Sequence, residues 1–170
     1  VQAKFDIQKL TWMNGEYIMA KKTEELLPLI KKQIADAGKT DVPDDRLLKV
    51  LELYKMRIKT LSEFVRLTDH FFSDTYSVEE KGRGKYLTSP ESKEILREFL
   101  QRLEKMNDFS HSSIEEACRL MAEEKGLKTG QVIHPTRMAI SGKTSGAGLF
   151  EMMEVLGKDK VIERVRRATA

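Results

Sequence analysis

The stretch DVPDDRLLKVLELYKMRIKTLSEFVRLTDHFF, residues 41–72, decides the fold class. Leu47, Leu48, Leu51, Tyr54 and Ile58, then Leu61, Phe64, Val65 and Thr68, keep an i, i+3, i+4 rhythm. That spacing lines one face of an α-helix, whereas a half-buried strand alternates apolar and polar residues. The run predicts one long helix, or two that meet near Arg57.

The same rhythm continues in both directions. Upstream, FDIQKLTWMNGEYIMA places Ile7, Leu10, Trp12, Met13, Tyr17 and Ile18 at helical spacing around Asn14-Gly15, a dipeptide that predicts a turn. A helix from about Thr23 to Ala37 follows, with Thr23 as its N-cap and Gly38 as its stop. Pro28 in its interior predicts a kink or a split. Downstream, SDTYSVEEKGRGKYLTSP breaks the pattern, and Gly82, Gly84 and Pro90 put a subdomain boundary within residues 73–90. Ser89-Pro90-Glu91 opens a helix to about Met106. Another runs from Ser112, spaced from Glu115 as a capping box, to Lys125, with Gly126 as its stop. Three more are predicted: Thr129 to Ile140 closed by Gly142, GLFEMMEVLG ended by Gly157, and KDKVIERVRRA. No window of comparable strength reads as strand. The residues describe an all-α protein of two helical subdomains.

Composition narrows the function classes. Of 170 residues, 40% are apolar and 34% charged, a balance of globular rather than disordered chains. The single cysteine, Cys118, excludes an internal disulfide and points to a reducing, cytoplasmic compartment. Its setting EEACRLMAEE suits a buried helical thiol. No apolar run approaches the roughly 18–20 residues of a membrane span, and no signal peptide is visible. The chain opens on Val1 without an initiator methionine, which points to a piece of a longer polypeptide. The net charge of +3 is uneven: residues 126–170 hold eight Lys or Arg against four acids, a net +4, which leaves −1 for the first 125. Positive charge gathered near one end hints at a polyanionic partner.

Catalytic signals are sparse. His70, His111 and His134 are far apart and lack partners at zinc-site spacing. Gly142-Lys143-Thr144 has the ending of a phosphate-binding P-loop, but the position five before Gly142 is Arg137 rather than glycine, and no buried strand precedes it. No ATP site is therefore expected there. Arg137, Lys143, Arg164, Arg166 and Arg167 would surround one basic region if the last three helices pack together, with Ser141–Gly148 as a loop whose backbone approaches a ligand closely. These residues alone leave nucleic acid, a protein partner and a solvated surface all open.

Three separated strings are more specific. FDIQKLTWMNGEYI, LLKVLELYKMRIKTLSEFVRLTDHFFSD and GLKTGQVIHPTRMAISGKTSGAGLFEMMEVLGKDKVIERVRRA occur in this order. Together they resemble the C-terminal part of bacterial-type glutamyl-tRNA synthetases, most distinctively in G-x-x-x-x-P-x-R-x-A-x-[ST]-G from Gly130 to Gly142. The resemblance covers nearly the whole chain. It implies the α-helical anticodon-binding cage of a class I aminoacyl-tRNA synthetase, with residues 1–20 ending the stem-contact region and 21–85 and 86–170 forming two anticodon-binding subdomains. It implies tRNA-Glu as partner, a monomer, and no cofactor in this segment. ATP and Mg would serve the parent enzyme's catalytic domain, whose HIGH and KMSKS motifs do not occur in this chain.

The resemblance also implies roles. Arg57 matches the arginine that reads the third anticodon base, Arg137 an anticodon-contacting arginine, and Leu149 an apolar residue packed on the first anticodon base. Arg119 matches a contact made in some members. Lys143, Lys128 and Arg164 have no family role, and phosphate contact is the expectation for them alongside a solvated surface. Without the resemblance, Arg57 reads as a salt-bridge residue at a helix break, Arg137 as a helix-terminal charge, and Leu149 as core. Gly146-Ala147-Gly148 replaces a Ser-Pro pair of many relatives, which predicts a looser loop. The alternative to RNA recognition is a helical protein-interaction module.

Overall fold

The computed structural model describes residues 6–38 and 42–170; Val1, Phe5 and Asp41, named above, lie outside them. The described residues form ten α-helices, one 3-10 turn and no strand. In chain order the helices are α1 (Ile7–Ala20), α2 (Thr23–Asp36), α3 (Asp44–Tyr54), α4 (Leu61–Phe72), α5 (Glu80–Tyr86), α6 (Pro90–Lys105), α7 (His111–Glu124), α8 (Gly130–Ser141), α9 (Leu149–Leu156) and α10 (Lys158–Thr169). None is long and apolar enough to cross a membrane. The chain divides into two compact units, the first ending at Phe72 and the second running from Ser73 to Ala170.

In the first unit, α2 packs against α3 and α4. The side chains between them are Leu26, Ile30, Ile34, Leu47, Val50, Leu51, Tyr54, Phe64 and Phe71, all buried. Tyr54 and Phe71 meet edge to face, with ring centroids 6.1 Å apart. The long periodic run is two helices. After α3 the chain tightens into the 3-10 turn Lys55–Arg57, and Ile58 is extended and buried. The Glu63 carboxylate then accepts the Lys59 and Thr60 N–H groups while Thr60 Oγ1 accepts the Glu63 N–H. This reciprocal cap starts α4 and fixes the break.

Two expectations change here. Asn14-Gly15 makes no turn: α1 passes through it unbroken, because Asn14 Nδ2 donates to the Lys59 carbonyl. A Cβ on Gly15 would stand only 3.3 Å from Lys59 Cγ, so the glycine serves a close approach. Thr23 is the first residue of α2 rather than its cap, and its hydroxyl binds Glu52 of α3. Pro28 does lie inside α2, where buried Leu26, Ile30 and Ile34 hold the helix against the missing N–H.

In the second unit, α8 packs against α5, α6, α7 and α10, and α6 also lies along α10. Ser89 caps α6 by accepting the Ser92 N–H, and Pro90 occupies the first turn. The cap of α7 is Ser110, not Ser112; its Oγ accepts the Ser113 N–H and itself bonds to Asp108. The segment read as a break contains α5, which packs on α8 and places the division after Phe72 instead of at residue 85. Gly82 inside α5 is buried, and a Cβ there would overlap Thr144 Cγ2 and come within 2.9 Å of Met138 Sδ. A residue that costs helix propensity is what lets α5 dock.

Candidate nucleic-acid interface

Arg57 ends the 3-10 turn of the first unit. It is exposed, as is Met56 beside it at 71%. Tyr54 and Ile58 on either side are buried, so the turn is anchored at both ends. Among the described residues no acidic group pairs with the guanidinium, which leaves the salt-bridge reading without a partner. An arginine fork on a fixed backbone, with its donors toward solvent, is suited to a planar acceptor such as a nucleobase edge.

Arg137 lies on α8, half-buried, and its Nη1 donates to the Ala147 carbonyl at 2.7 Å. The side chain thereby ties α8 to the loop 142–148. That loop is held from the other side as well. Gly142 is left-handed at φ +68°, and its carbonyl accepts the Glu79 N–H at 2.8 Å. Thr144 donates its N–H and its hydroxyl to the Glu79 carboxylate. Lys143 is buried, with its ammonium on the Ser77 hydroxyl and carbonyl. The glycine and small residues thus serve packing against residues 77–79, not approach to a ligand. The Lys143 ammonium is directed at Ser77 rather than into the loop.

The expected basic region is divided among several roles. Arg164 is 2% exposed; it donates to the carbonyls of Ile140 at 2.6 Å and Ser73 at 3.2 Å and lies over the Tyr76 ring at 4.5 Å. Burial lowers its pKa, partly opposed by Tyr76 and Asp74. Lys143 and Arg164 are therefore packing residues as placed, and the expectation of phosphate contacts does not fit their burial. Leu149 is 3% exposed at the first position of α9, so its side chain is core rather than a platform offered to a base. Arg119 is exposed on α7 and lies 3.5 Å from Glu123, one turn on. Arg166 pairs with Glu104 at 2.6 Å. Lys128 is exposed in the loop before α8. Cys118 is buried, and burial with the nearby Glu115 raises its pKa to about 11, which removes it as a nucleophile at neutral pH.

Sequence reasoning passed over Met56, Tyr76, Arg83 and Arg167 as site residues or gave them no individual role. Their position follows from helix breaks and docking that local patterns do not carry.

Comparison with known proteins gives this geometry a context. Residues 20–169 match the family described as "Anticodon binding domain". The chain is 38% identical over 170 residues to glutamate–tRNA ligase 2 of Thermoanaerobacter pseudethanolicus, covering 98% of this chain and 35% of that protein. It is 39% identical over 171 residues to glutamate–tRNA ligase of Moorella thermoacetica, with the same coverage. A crystal structure of a glutamate tRNA ligase from Elizabethkingia meningosepticum, in complex with its amino acid, matches with a TM-score of 0.88 at 30% identity. That match covers 99% of this chain and 33% of the other. The chain spans about a third of the length of these relatives.

Proposed function

The chain belongs to the anticodon binding domain family, and from that premise we propose that it is the tRNA-reading C-terminal part of a glutamate–tRNA ligase. Its partner is tRNA-Glu, and the parent enzyme works as a cytoplasmic monomer. In this reading, activation of glutamate with ATP and Mg2+ is the work of the parent enzyme's catalytic domain, whose HIGH and KMSKS motifs do not occur in these residues.

The observation that carries the reading is Arg57: exposed, unpaired among the described residues, and presented on a turn whose flanking side chains are buried. Its donor fork matches the O2 and N3 acceptors of a cytosine at the third anticodon position. A guanine there presents donors on its Watson–Crick edge, so the arginine is mispaired. Discrimination of this type is worth about 1–3 kcal/mol. Arg137 adds a second contact from the other unit, its guanidinium braced by Ala147, and Arg119 supplies a salt-sensitive surface charge.

The test is binding of this chain to the tRNA-Glu anticodon stem-loop at fixed low salt. Arg137→Ala is expected to weaken it by about tenfold, roughly 1.4 kcal/mol. Arg119→Ala is expected to cost about twofold, an effect that vanishes as salt is raised. Equal affinity of Arg137→Ala and the parent chain would remove Arg137 from the interface.

A further inference from the structure

Residues 74–78, α5 and the residues after it, the start of α6, α8 and α10 of the second unit enclose a half-open cavity of about 640 Å3 that Arg57 and Arg137 do not line. This size falls within the range of small-molecule sites. Four cations line it, Arg83, Lys93, Arg164 and Arg167, against a single acidic side chain, Asp74; Ala170, the last residue of the chain, also lines it.

The charges do not balance locally. The Asp74 carboxylate is already shared by Lys160 at 3.4 Å and Arg164 at 3.8 Å. Lys93 donates to the Ala170 carbonyl. Arg83 has only Glu80, 3.8 Å away with both side chains more than half exposed, and such a pair is weak. Arg167 is exposed and makes no hydrogen bond or ion pair among the described residues. Its charge reaches Arg164, whose pKa is lowered first by burial and also by this repulsion. An anion beside Arg83 and Arg167 would relieve both. The remaining wall is mostly apolar, with Leu87, Met138 and Val78, the last 42% exposed although aliphatic, beside the hydroxyl residues Thr75 and Thr88. A bare inorganic ion would leave that wall wet.

We propose that the cavity binds a nucleoside monophosphate, with the phosphate at Arg83 and Arg167 and the nucleoside against Val78 and Leu87. The source of that nucleotide, within the RNA-binding reading above, is a residue of the bound RNA other than the anticodon bases. A free nucleotide has the same chemistry, and the experiment separates the two.

The 170-residue chain is titrated calorimetrically with adenosine 5′-monophosphate, adenosine and inorganic phosphate, and its affinity for the anticodon stem-loop is followed against salt. The same is done for Arg83→Ala/Arg167→Ala, which leaves the buried Arg164 in place; its melting curve reports that the fold is intact. Adenosine monophosphate is expected to bind at least tenfold more tightly than either fragment, and the double variant to lose this binding. The salt slope for RNA is expected to fall by about two, one for each cation removed. Equal binding of phosphate and adenosine monophosphate, or binding unchanged in the double variant, would overturn the site. An unchanged salt slope with lost monophosphate binding overturns RNA as the source and assigns a free nucleotide. Loss of anticodon preference in the parent chain would sink the anticodon reading alone, since the monophosphate arm does not depend on it.

Discussion

Gly142→Ala is expected to destabilise the second unit by about 3–4 kcal/mol. Two costs combine. At φ +68° an alanine sits in the left-handed region, which costs roughly 1–2 kcal/mol. Its Cβ would also stand 2.6 Å from the Ser77 carbonyl oxygen and 3.2 Å from the Tyr76 ring. The nearest atom is backbone, so relief requires moving residues 76–79 away from the loop. That movement strains the Glu79 N–H to Gly142 carbonyl bond and the Lys143–Ser77 contact. Overpacking of this type adds about 1–3 kcal/mol. Gly126 offers the internal control: φ is +63°, yet a Cβ there meets nothing within 4 Å. Gly126→Ala should lose only the backbone part, about 1 kcal/mol. Urea unfolding of both variants checks the pair. Equal losses would mean that the Ser77 contact yields without cost.

Arg164→Leu is expected to cost about 3 kcal/mol in the same assay. Leucine relieves the desolvation of a buried charge, and that gain offsets part of the loss. It also leaves the Ile140 and Ser73 carbonyls without their donor, at roughly 1–3 kcal/mol for each buried group. Contact with Tyr76 is lost as well. The two backbone carbonyls remain after the substitution, so the unpaired-acceptor cost outweighs the relief. Arg164→Lys keeps the charge but not the planar fork that reaches two carbonyls at once, and should recover less than half. A loss below about 1 kcal/mol for the leucine variant would show that water satisfies both carbonyls.

These sites mark where the sequence stops being readable. Helix ends that depend on local chemistry follow the pattern closely: Ser89-Pro90 opens α6, and Gly142 and Gly157 close α8 and α9. Features set by a distant partner do not. Asn14-Gly15 carries a turn signal, but Lys59 lies against it and the helix continues. Gly82 and Gly84 look like loop residues until Met138 and Thr144 supply the surface on which α5 docks. Ser110 and Ser112 are both plausible caps, and the bonds of Ser110 to Asp108 and Ser113 select the first.

The candidate site divides in the same way. Arg57 and Arg137 are reached through ordered family strings, and Arg57 is exposed where a reader of RNA requires it. Lys143 and Arg164 are indistinguishable from surface cations in the sequence. Only the fold shows that they spend their donors on Ser77, Ile140 and Ser73. Leu149, apolar beside a glycine, is equally compatible with a base platform and with core; its burial favours core.

The most direct test compares two anticodon stem-loops of tRNA-Glu, one natural and one changed only from C to G at the third anticodon base. Binding to this chain and to Arg57→Gln is followed by fluorescence anisotropy at fixed low salt. The predicted result is a preference for the natural stem-loop of tenfold or more, about 1.4 kcal/mol, that disappears in Arg57→Gln. Equal binding of both RNAs by the parent chain would contradict anticodon reading by Arg57 and favour a helical module that binds a protein instead.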